Sequence, residues 1–448
     1  MTLRTDVPVD VALDDFDVAM PDVDVLLTFM REQGFKTLVT KVQNRGMSIG
    51  NNGNAKADRA AQPEVAKDYI LVQTEADLQA WIDDAFAAGR VTVDTETTGL
   101  DAMTAQLVGV SLCVEPGRAC YVPLAHKGAA AQGDLLGGGG EAEAPPQVPF
   151  ARALEMLKPL LQDPATLKIG QNIKYDLLVL KKYDIDITPV DDTMVLSCVL
   201  EGGLHGHGMD ELAGLHLGVE TIKFKDVAGT GKKQVTFDFV ELDQALNYAA
   251  EDADITEKLH RLLKPRLAAE RLTSVYETME RPLIPILVAM EGEGIKVDAT
   301  ELKRLSDDFA RRLGDLEGQI HELAGEPFNI ASPKQLGEIL FDRLGLEGGK
   351  KGKTGAYATG AEVLDGLAAE GHKLPARVLE WRQLAKLKST YTDALMAQIN
   401  PQTGRVHTSY SMAATSTGRL ASSDPNLPNI PIRTAQGRKT RKAFVADP

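Results

Sequence analysis

Val91-Thr92-Val93-Asp94-Thr95-Glu96-Thr97-Thr98-Gly99-Leu100 is the stretch on which the reading of this chain turns. Its alternating branched residues up to Asp94 predict a buried strand, and Gly99 marks the turn that ends it. Residues two apart in a strand face one side, so Asp94 and Glu96 project together from the strand's end. Side-by-side carboxylates repel unless a positive charge lies between them, and a hard divalent cation with oxygen ligands meets that need. A lone Asp-x-Glu is more often a solvated turn, so its weight depends on partners elsewhere.

Those partners lie in an alternation of strands and helices. Tyr69–Val72 reads as a strand, and Thr74 as the N-cap of a helix. After the opening strand come Leu107–Val114 and Ala119–Leu124, joined by short turns, a meander at the start of a mixed sheet. Leu167–Gly170 predicts a short strand, followed by a helix from about Asn172. Asp176 falls in its first turns, near a strand's carboxyl end, where α/β folds collect ligands. Leu242–Thr256 predicts one helix on which Tyr248 and Asp252, four apart, share a face. Ala249 and Ala250 let that helix approach a sheet closely.

Singly, each acid reads as a surface carboxylate or a helix cap. Jointly, Asp94, Glu96, Asp176 and Asp252 could not all stay ionised without cations, and two divalent ions between them are the consistent reading. Such a pair can activate a water and stabilise the leaving oxygen of a phosphodiester. A tyrosine hydroxyl beside them, Tyr248, would orient the water.

The rest of the chain sets the frame. Its 448 residues suffice for two or three domains. Hydrophobic content of 43% and charged content of 25% are those of soluble globular proteins. There is no apolar run of membrane-spanning length and no signal-peptide pattern at Met1–Pro8. Cys113, Cys120 and Cys198 lack metal-site spacing and read as small buried hydrophobes of a reducing cytoplasm. A net charge of −15 argues at first against nucleic acid. From Arg405 onward, however, seven Lys/Arg face two Asp, and a local basic stripe outweighs the global sum.

The first sixty or so residues read as an acidic segment, an amphipathic piece ending near Gly34, and a polar linker around Asn51–Asp58. Residues 127–148 are low in complexity, and their Gly run is no phosphate loop because no Lys-Ser/Thr follows. Beyond Arg281 the pattern turns helical. Leu302, Leu305, Phe309, Leu313, Leu316, Ile320 and Leu323 recur at steps of three and four, a long amphipathic helix. Ser332–Gln335 and Thr359–Glu362 have capping-box form, and a third helix is expected from Pro375 to about Leu395. Gly348–Gly355 forms a basic tip between them. The last forty residues return to strands and turns, with nothing expected to close a domain.

Val93-Asp94-Thr95-Glu96-Thr97, Gln171-Asn172-Ile173-Lys174-Tyr175-Asp176 and Tyr248-Ala249-Ala250-Glu251-Asp252 resemble the three motifs of the proofreading exonuclease superfamily with four acids and a tyrosine. Phe328–Leu336, Leu384–Tyr391 and Thr417–Arg433 resemble the bacterial family A DNA polymerases of the polymerase I type, and the likeness covers nearly the whole chain. It implies the end of a 5′-nuclease domain and linker at 1–62. A ribonuclease H-like 3′-5′ exonuclease domain is implied at 63–272, and at 273–448 a mainly helical thumb with the start of a palm. The fold class is α/β followed by helices.

By that resemblance Asp94, Glu96 and Asp252 bind one metal, Asp94 with Asp176 helps hold a second, and Tyr248 orients the water; the ions are Mg²⁺ or Mn²⁺. Thr97, Leu100, Gln171, Asn172, Tyr175 and Phe224 would hold the frayed 3′ end. Lys350, Lys351 and Lys353 would track duplex phosphates. Arg419, Asn426 and Asn429 would reach the primer-template minor groove, where the acceptor pattern barely depends on sequence, and Arg433 would bind backbone phosphate. The implied partners are single-stranded 3′ ends and primer-template DNA, for a cytoplasmic monomer with no membrane contact. The family's first palm motif, Asp-Tyr-Ser-Gln-x-Glu, has not begun at Asp447, so the expectation is exonuclease action and DNA binding without nucleotide addition. Two other readings are a decayed DNA-binding module, disfavoured by the intact acids and Tyr248, and an RNA-trimming exonuclease, disfavoured by the Thr417-Gly418-Arg419-Leu420 stretch.

Overall fold

The computed structural model describes residues 23–35, 38, 39, 42, 66–128, 144–352, 355–431 and 434–446. A helix, α1 (Val23–Glu32), occupies the expected amphipathic piece, and Gly34 just beyond it has φ 70°. The linker around Asn51–Asp58 and most of the Gly-rich run lie outside the described residues.

The opening stretch is β2 (Arg90–Thr97), inside a six-stranded mixed sheet. Its companions are β1 (Asp68–Leu71), β3 (Leu107–Glu115), β4 (Arg118–Pro123), β5 (Leu167–Gly170) and β6 (Val190–Asp192), in the order β1-β4-β3-β2-β5-β6. The expected meander is there: β2, β3 and β4 pair antiparallel, whereas β5 runs parallel to β2 and to β6. Val91, Thr92 and Val93 are all buried, because a central strand covered on both faces loses simple alternation. The register slips between Glu96 and Thr97, and an irregularity of this kind re-aims side chains at a strand's end. Glu96 stands opposite Gly109, where a Cβ would collide with the Tyr121 ring. Only glycine lets that ring lie against the strand.

Helices cover both faces. Thr74 caps α2 (Glu75–Ala88), its hydroxyl accepting from the Asp77 N–H at 3.2 Å, as expected. A further helix, α3 (Phe150–Gln162), packs Ala153, Leu154, Leu157, Leu160 and Leu161 into the core. The helix expected from about Asn172 begins two residues later, as α4 (Lys174–Lys181). Asn172 itself sits at φ 55°, its N–H and that of Ile173 donating to the Asp192 carboxylate. Asp192 also caps α5 (Thr193–Glu201). The long α6 (Leu242–Leu263) crosses the sheet with Ala245, Ala249, Ala250 and Ala253 fully buried, so small residues do permit the close approach.

The second region opens with α7 (Arg281–Glu293) and α8 (Ala299–Ala324), the latter capped by Asp298. Leu302, Leu305, Phe309, Leu316 and Ile320 are buried, whereas Leu323 is exposed because it falls off the stripe near the helix end. The first capping box is half formed. Ser332 Oγ accepts from the Gln335 N–H, but Gln335 Oε1 turns to the Asn329 N–H. At the second, Gly360 rather than Thr359 is the N-cap of α9 (Ala361–Ala369). The third expected helix is α10 (Lys373–Lys386), continued by a π segment to Asp393 and a turn to Ala397.

The C-terminal strands differ from expectation by closing on a small core. β7 (Ile295–Lys296) pairs with β8 (Arg405–Val406), and β9 (Ser409–Ser411) with β10 (Ala421–Ser423). Val297, Leu302, Leu395, Val406 and Ala443 pack together, and the basic end forms a short helix, α11 (Ala435–Arg441). Apolar residues from Val297 to Ala443 make that core, a grouping no local pattern announces. The two regions are tied by a buried ion pair, Lys174 Nζ to Glu291 Oε1 at 2.6 Å, whose carboxylate also accepts from the Tyr410 N–H. No described helix is long and apolar enough to cross a membrane.

Candidate active site

Three carboxylates converge at the end of β2. Asp94 and Glu96 from the strand and Asp252 from α6 each bring an oxygen to within 4.8 Å of the others. Glu96 and Asp252 are buried, and Glu96 Oε1 and Asp252 Oδ1 have no hydrogen-bond partner. Buried polar atoms are rarely orphaned, so two in one cluster indicate a missing partner. The energetics agree. Burial, then the Asp252 charge, holds Asp94 well above the ordinary carboxylate range. Burial, then Asp94, Asp252 and Asp176, does the same to Glu96. Asp252 is raised by burial and then by Glu251. An acid cluster that repels itself, with no ion pair to any member among the described residues, fits a divalent cation with oxygen ligands.

Asp176 stands beside this trio rather than within it. Its Oδ1 accepts from the Thr95 N–H at 2.9 Å and from Thr95 Oγ1 at 2.5 Å. Burial and the Asp94 charge raise its carboxyl, and the Thr95 bonds oppose the rise. Thr95 was not singled out in the sequence. The signal was the strand's own period: it puts Thr95 on the face opposite Asp94 and Glu96, toward α4.

Tyr248 lies one helical turn before Asp252 and packs edge-on against Phe224, ring centroids 6.3 Å apart, and against Phe237 at 5.8 Å. Burial and the Asp252, Glu96 and Asp94 charges push its hydroxyl up, so it stays protonated and able to donate. Phe224 is stacked on Phe237 with an interplanar angle of 22° and is 38% exposed, a platform at the rim. Phe237, fully buried beneath it, also went unread, because nothing local separates it from an ordinary core aromatic.

The other expected contacts sort by place. Thr97 Oγ1 lies 2.5 Å from Tyr175 Oη, which donates to the Gly99 carbonyl. Leu100 beyond that turn is 97% exposed. Gln171 is engaged by the protein, its Nε2 on the His207 carbonyl and its Oε1 on the Thr193 hydroxyl. Leu100, Asn172 and Tyr175 line a cleft of about 570 Å³ shared with residues 397–401, 407–409 and Asp424 of the second region. Lys350 and Lys351 are exposed, with Lys351 Nζ 4.4 Å over the Tyr357 ring. Arg419 lies on an exposed turn held by Thr415, Asn426 lines a separate hollow between Tyr391 and Ile430, and the Asn429 carbonyl accepts from Tyr391. Lys353 and Arg433 lie outside the described residues.

The comparisons follow this division. Residues 69–268 match the model for 3′-5′ exonucleases, and residues 299–448 that for DNA polymerase family A. The second match ties the C-terminal third of the chain to DNA polymerase family A. The chain is 55% identical over 389 residues to DNA polymerase I of Rhizobium leguminosarum, covering 85% of this chain and 38% of that protein. It is 44% identical over 449 residues to DNA polymerase I of Pseudomonas aeruginosa, covering 99% of this chain and 47% of the relative. The chain thus spans less than half the length of these family A relatives. Among solved structures it resembles the POL domain of Pol1 from M. smegmatis in complex with DNA primer-template and dNTP. The TM-score is 0.66 at 27% identity, over 84% of this chain and 59% of that one. The acid cluster and Tyr248 lie in the exonuclease-matching part.

Proposed function

We propose that residues 63–272 form a 3′-5′ exonuclease domain that hydrolyses the terminal phosphodiester of a DNA 3′ end. The observation that carries this is the trio Asp94, Glu96 and Asp252, with oxygens within 4.8 Å of one another and with buried, unpartnered Glu96 Oε1 and Asp252 Oδ1. Asp94, Glu96 and Asp252 would hold one divalent ion, Mg²⁺ or Mn²⁺, and Asp94 with Asp176 a second. Bound there, such ions supply Lewis-acid stabilisation of charge on the phosphate. The chain's own groups do the rest. Tyr248 stays protonated and holds the attacking water by its hydroxyl. Thr95 fixes Asp176 through two hydrogen bonds. Phe224 and Leu100 offer apolar surface to the terminal bases, with Thr97, Gln171, Asn172 and Tyr175 around the strand end. Water oxygen bonds to phosphorus, the P–O3′ bond breaks, and a nucleoside 5′-monophosphate departs.

Residues 273–448 would bind primer-template duplex, with Lys350, Lys351 and Lys353 on phosphates, Arg419, Asn426 and Asn429 in the minor groove, and Arg433 on the backbone. Residues 1–62 would be the end of a preceding nuclease domain and its linker. The setting is bacterial DNA replication and repair, in the cytoplasm, with the chain acting as a monomer. The test is degradation of 3′-labelled single-stranded DNA by the purified chain with Mg²⁺ or Mn²⁺. The expected product is nucleoside 5′-monophosphate, abolished by chelator and by Asp94→Ala. Full activity in Asp94→Ala would overturn the site, and no degradation by the parent chain would favour a DNA-binding module.

A further inference from the structure

A second cluster lies away from the acids of β2 and shares no residue with them. Glu201 ends α5, a loop follows, and the π turn Ala213–Leu217 returns His216 to the same place. Glu201 Oε2 is 2.6 Å from His205 Nε2 and 2.9 Å from His216 Nε2, while its Oε1 accepts from Arg266 Nη1 at 2.7 Å. The three side chains are only 8–13% exposed.

We propose that Glu201, His205 and His216 form a site for a zinc-class divalent cation. The argument rests on the other nitrogen of His205. Its Nδ1 is 2.7 Å from the Gly206 carbonyl, an oxygen that can only accept, so Nδ1 carries the proton. Both Nε2 atoms then converge on one carboxylate oxygen, at 2.6 and 2.9 Å, and the three ligand-type atoms lie within 4.8 Å of one another, a grouping that could hold a cation. A metal-bound histidine has this arrangement, the far N–H donating to a backbone carbonyl and the ligating carboxylate steadied through its second oxygen. Arg266 supplies that second contact here. Two imidazoles and one carboxylate are ligands zinc takes with a fourth position open, whereas magnesium prefers oxygen alone.

The site would clamp the loop between α5 and the π turn. That loop carries His207, whose carbonyl receives Gln171 Nε2 and whose Nδ1 lies 2.8 Å from Ser197 Oγ. The clamp therefore stands behind the Gln171–Asp176 segment without joining it.

The test uses the full chain with Asp94→Asn and Asp252→Asn to disable the acid cluster, titrated with Co²⁺ in excess Mg²⁺. The expected result is one equivalent of Co²⁺ with the visible ligand-field absorption of a four-coordinate site, bleached by Zn²⁺. His205→Ala and Glu201→Gln should each abolish it while the far-ultraviolet circular dichroism stays that of the parent. Glu201→Gln keeps the side chain's size and an oxygen for Arg266, so it separates ligation from folding. Absence of the absorption in the parent, or the same Co²⁺ stoichiometry in both variants, would overturn the proposal and leave a protonated His205 as the cation.

Discussion

One helix, α6, carries two kinds of buried acid. Asp254 accepts from the Gly117 N–H at 2.7 Å, from Tyr69 Oη at 2.8 Å and from Lys258 Nζ at 2.6 Å. Glu257 meets Arg261 at 2.7 Å, Arg90 at 3.3 Å and the Thr92 hydroxyl at 3.0 Å. Glu251 takes Lys67 and the Ile222 N–H, both at 2.7 Å. Asp252, in the same run, meets other acids, and its Oδ1 meets no hydrogen-bond donor. All four are buried. Burial therefore does not single out the site; among the described residues, the lack of an ion pair to Asp252 does.

Exchanging an acid of each kind should break the comparison if it is wrong. Asp252→Ala is expected to lower the exonuclease rate by about 10²–10³-fold or more, the scale of losing one stabiliser of transition-state charge. It should also raise thermal stability in chelator, since it relieves repulsion. Single-turnover rates and melting curves check both.

Tyr248→Phe keeps the ring against Phe224 and Phe237 and removes only the hydroxyl. A fall of roughly 10–100-fold in kcat at near-constant KM is expected, the pattern of a group that acts on the water rather than on DNA binding.

The acid trio also sets a pH dependence. Its carboxyls are raised in the folded state, so they favour folding least when ionised. In chelator, stability should be greatest below the ordinary carboxylate range and fall as pH rises through the raised folded values. Mn²⁺ at a hundredfold excess over its Kd should add about 2.7 kcal/mol near neutral pH. Denaturant melts across pH, with and without Mn²⁺, test the sign.

Glu257→Ala should leave the exonuclease rate within about threefold. It should cost about 1–2 kcal/mol, less than a fully buried pair because Arg90 and Arg261 are partly exposed. A larger loss of rate than of stability would erase the distinction between the two kinds of acid.

Much of this was legible in the sequence because it is local. The strand at Val91–Thr97, the meander, the helix bearing Tyr248 and Asp252, and the stripe of α8 follow from periods of two and 3.6. What was hidden is long-range. Thr95 holds Asp176 across 81 positions, and Lys174 meets Glu291 across 117. The left-handed Asn172 delays α4 because Asp192, from a distant strand, takes its N–H. The helix at Phe150–Gln162 has helical spacing, but it carries Pro159 within its last turns, where the sequence predicts a break. The neutralising partners of Asp254 and Glu257 were equally out of sight, so sequence alone could not separate them from Asp252.

Mn²⁺ binding, followed by electron paramagnetic resonance in the parent chain, Asp252→Asn and Glu257→Gln, tests the central claim most directly. The account predicts binding in the parent, its loss or strong weakening in Asp252→Asn, and its retention in Glu257→Gln. Undiminished Mn²⁺ binding in Asp252→Asn would contradict it.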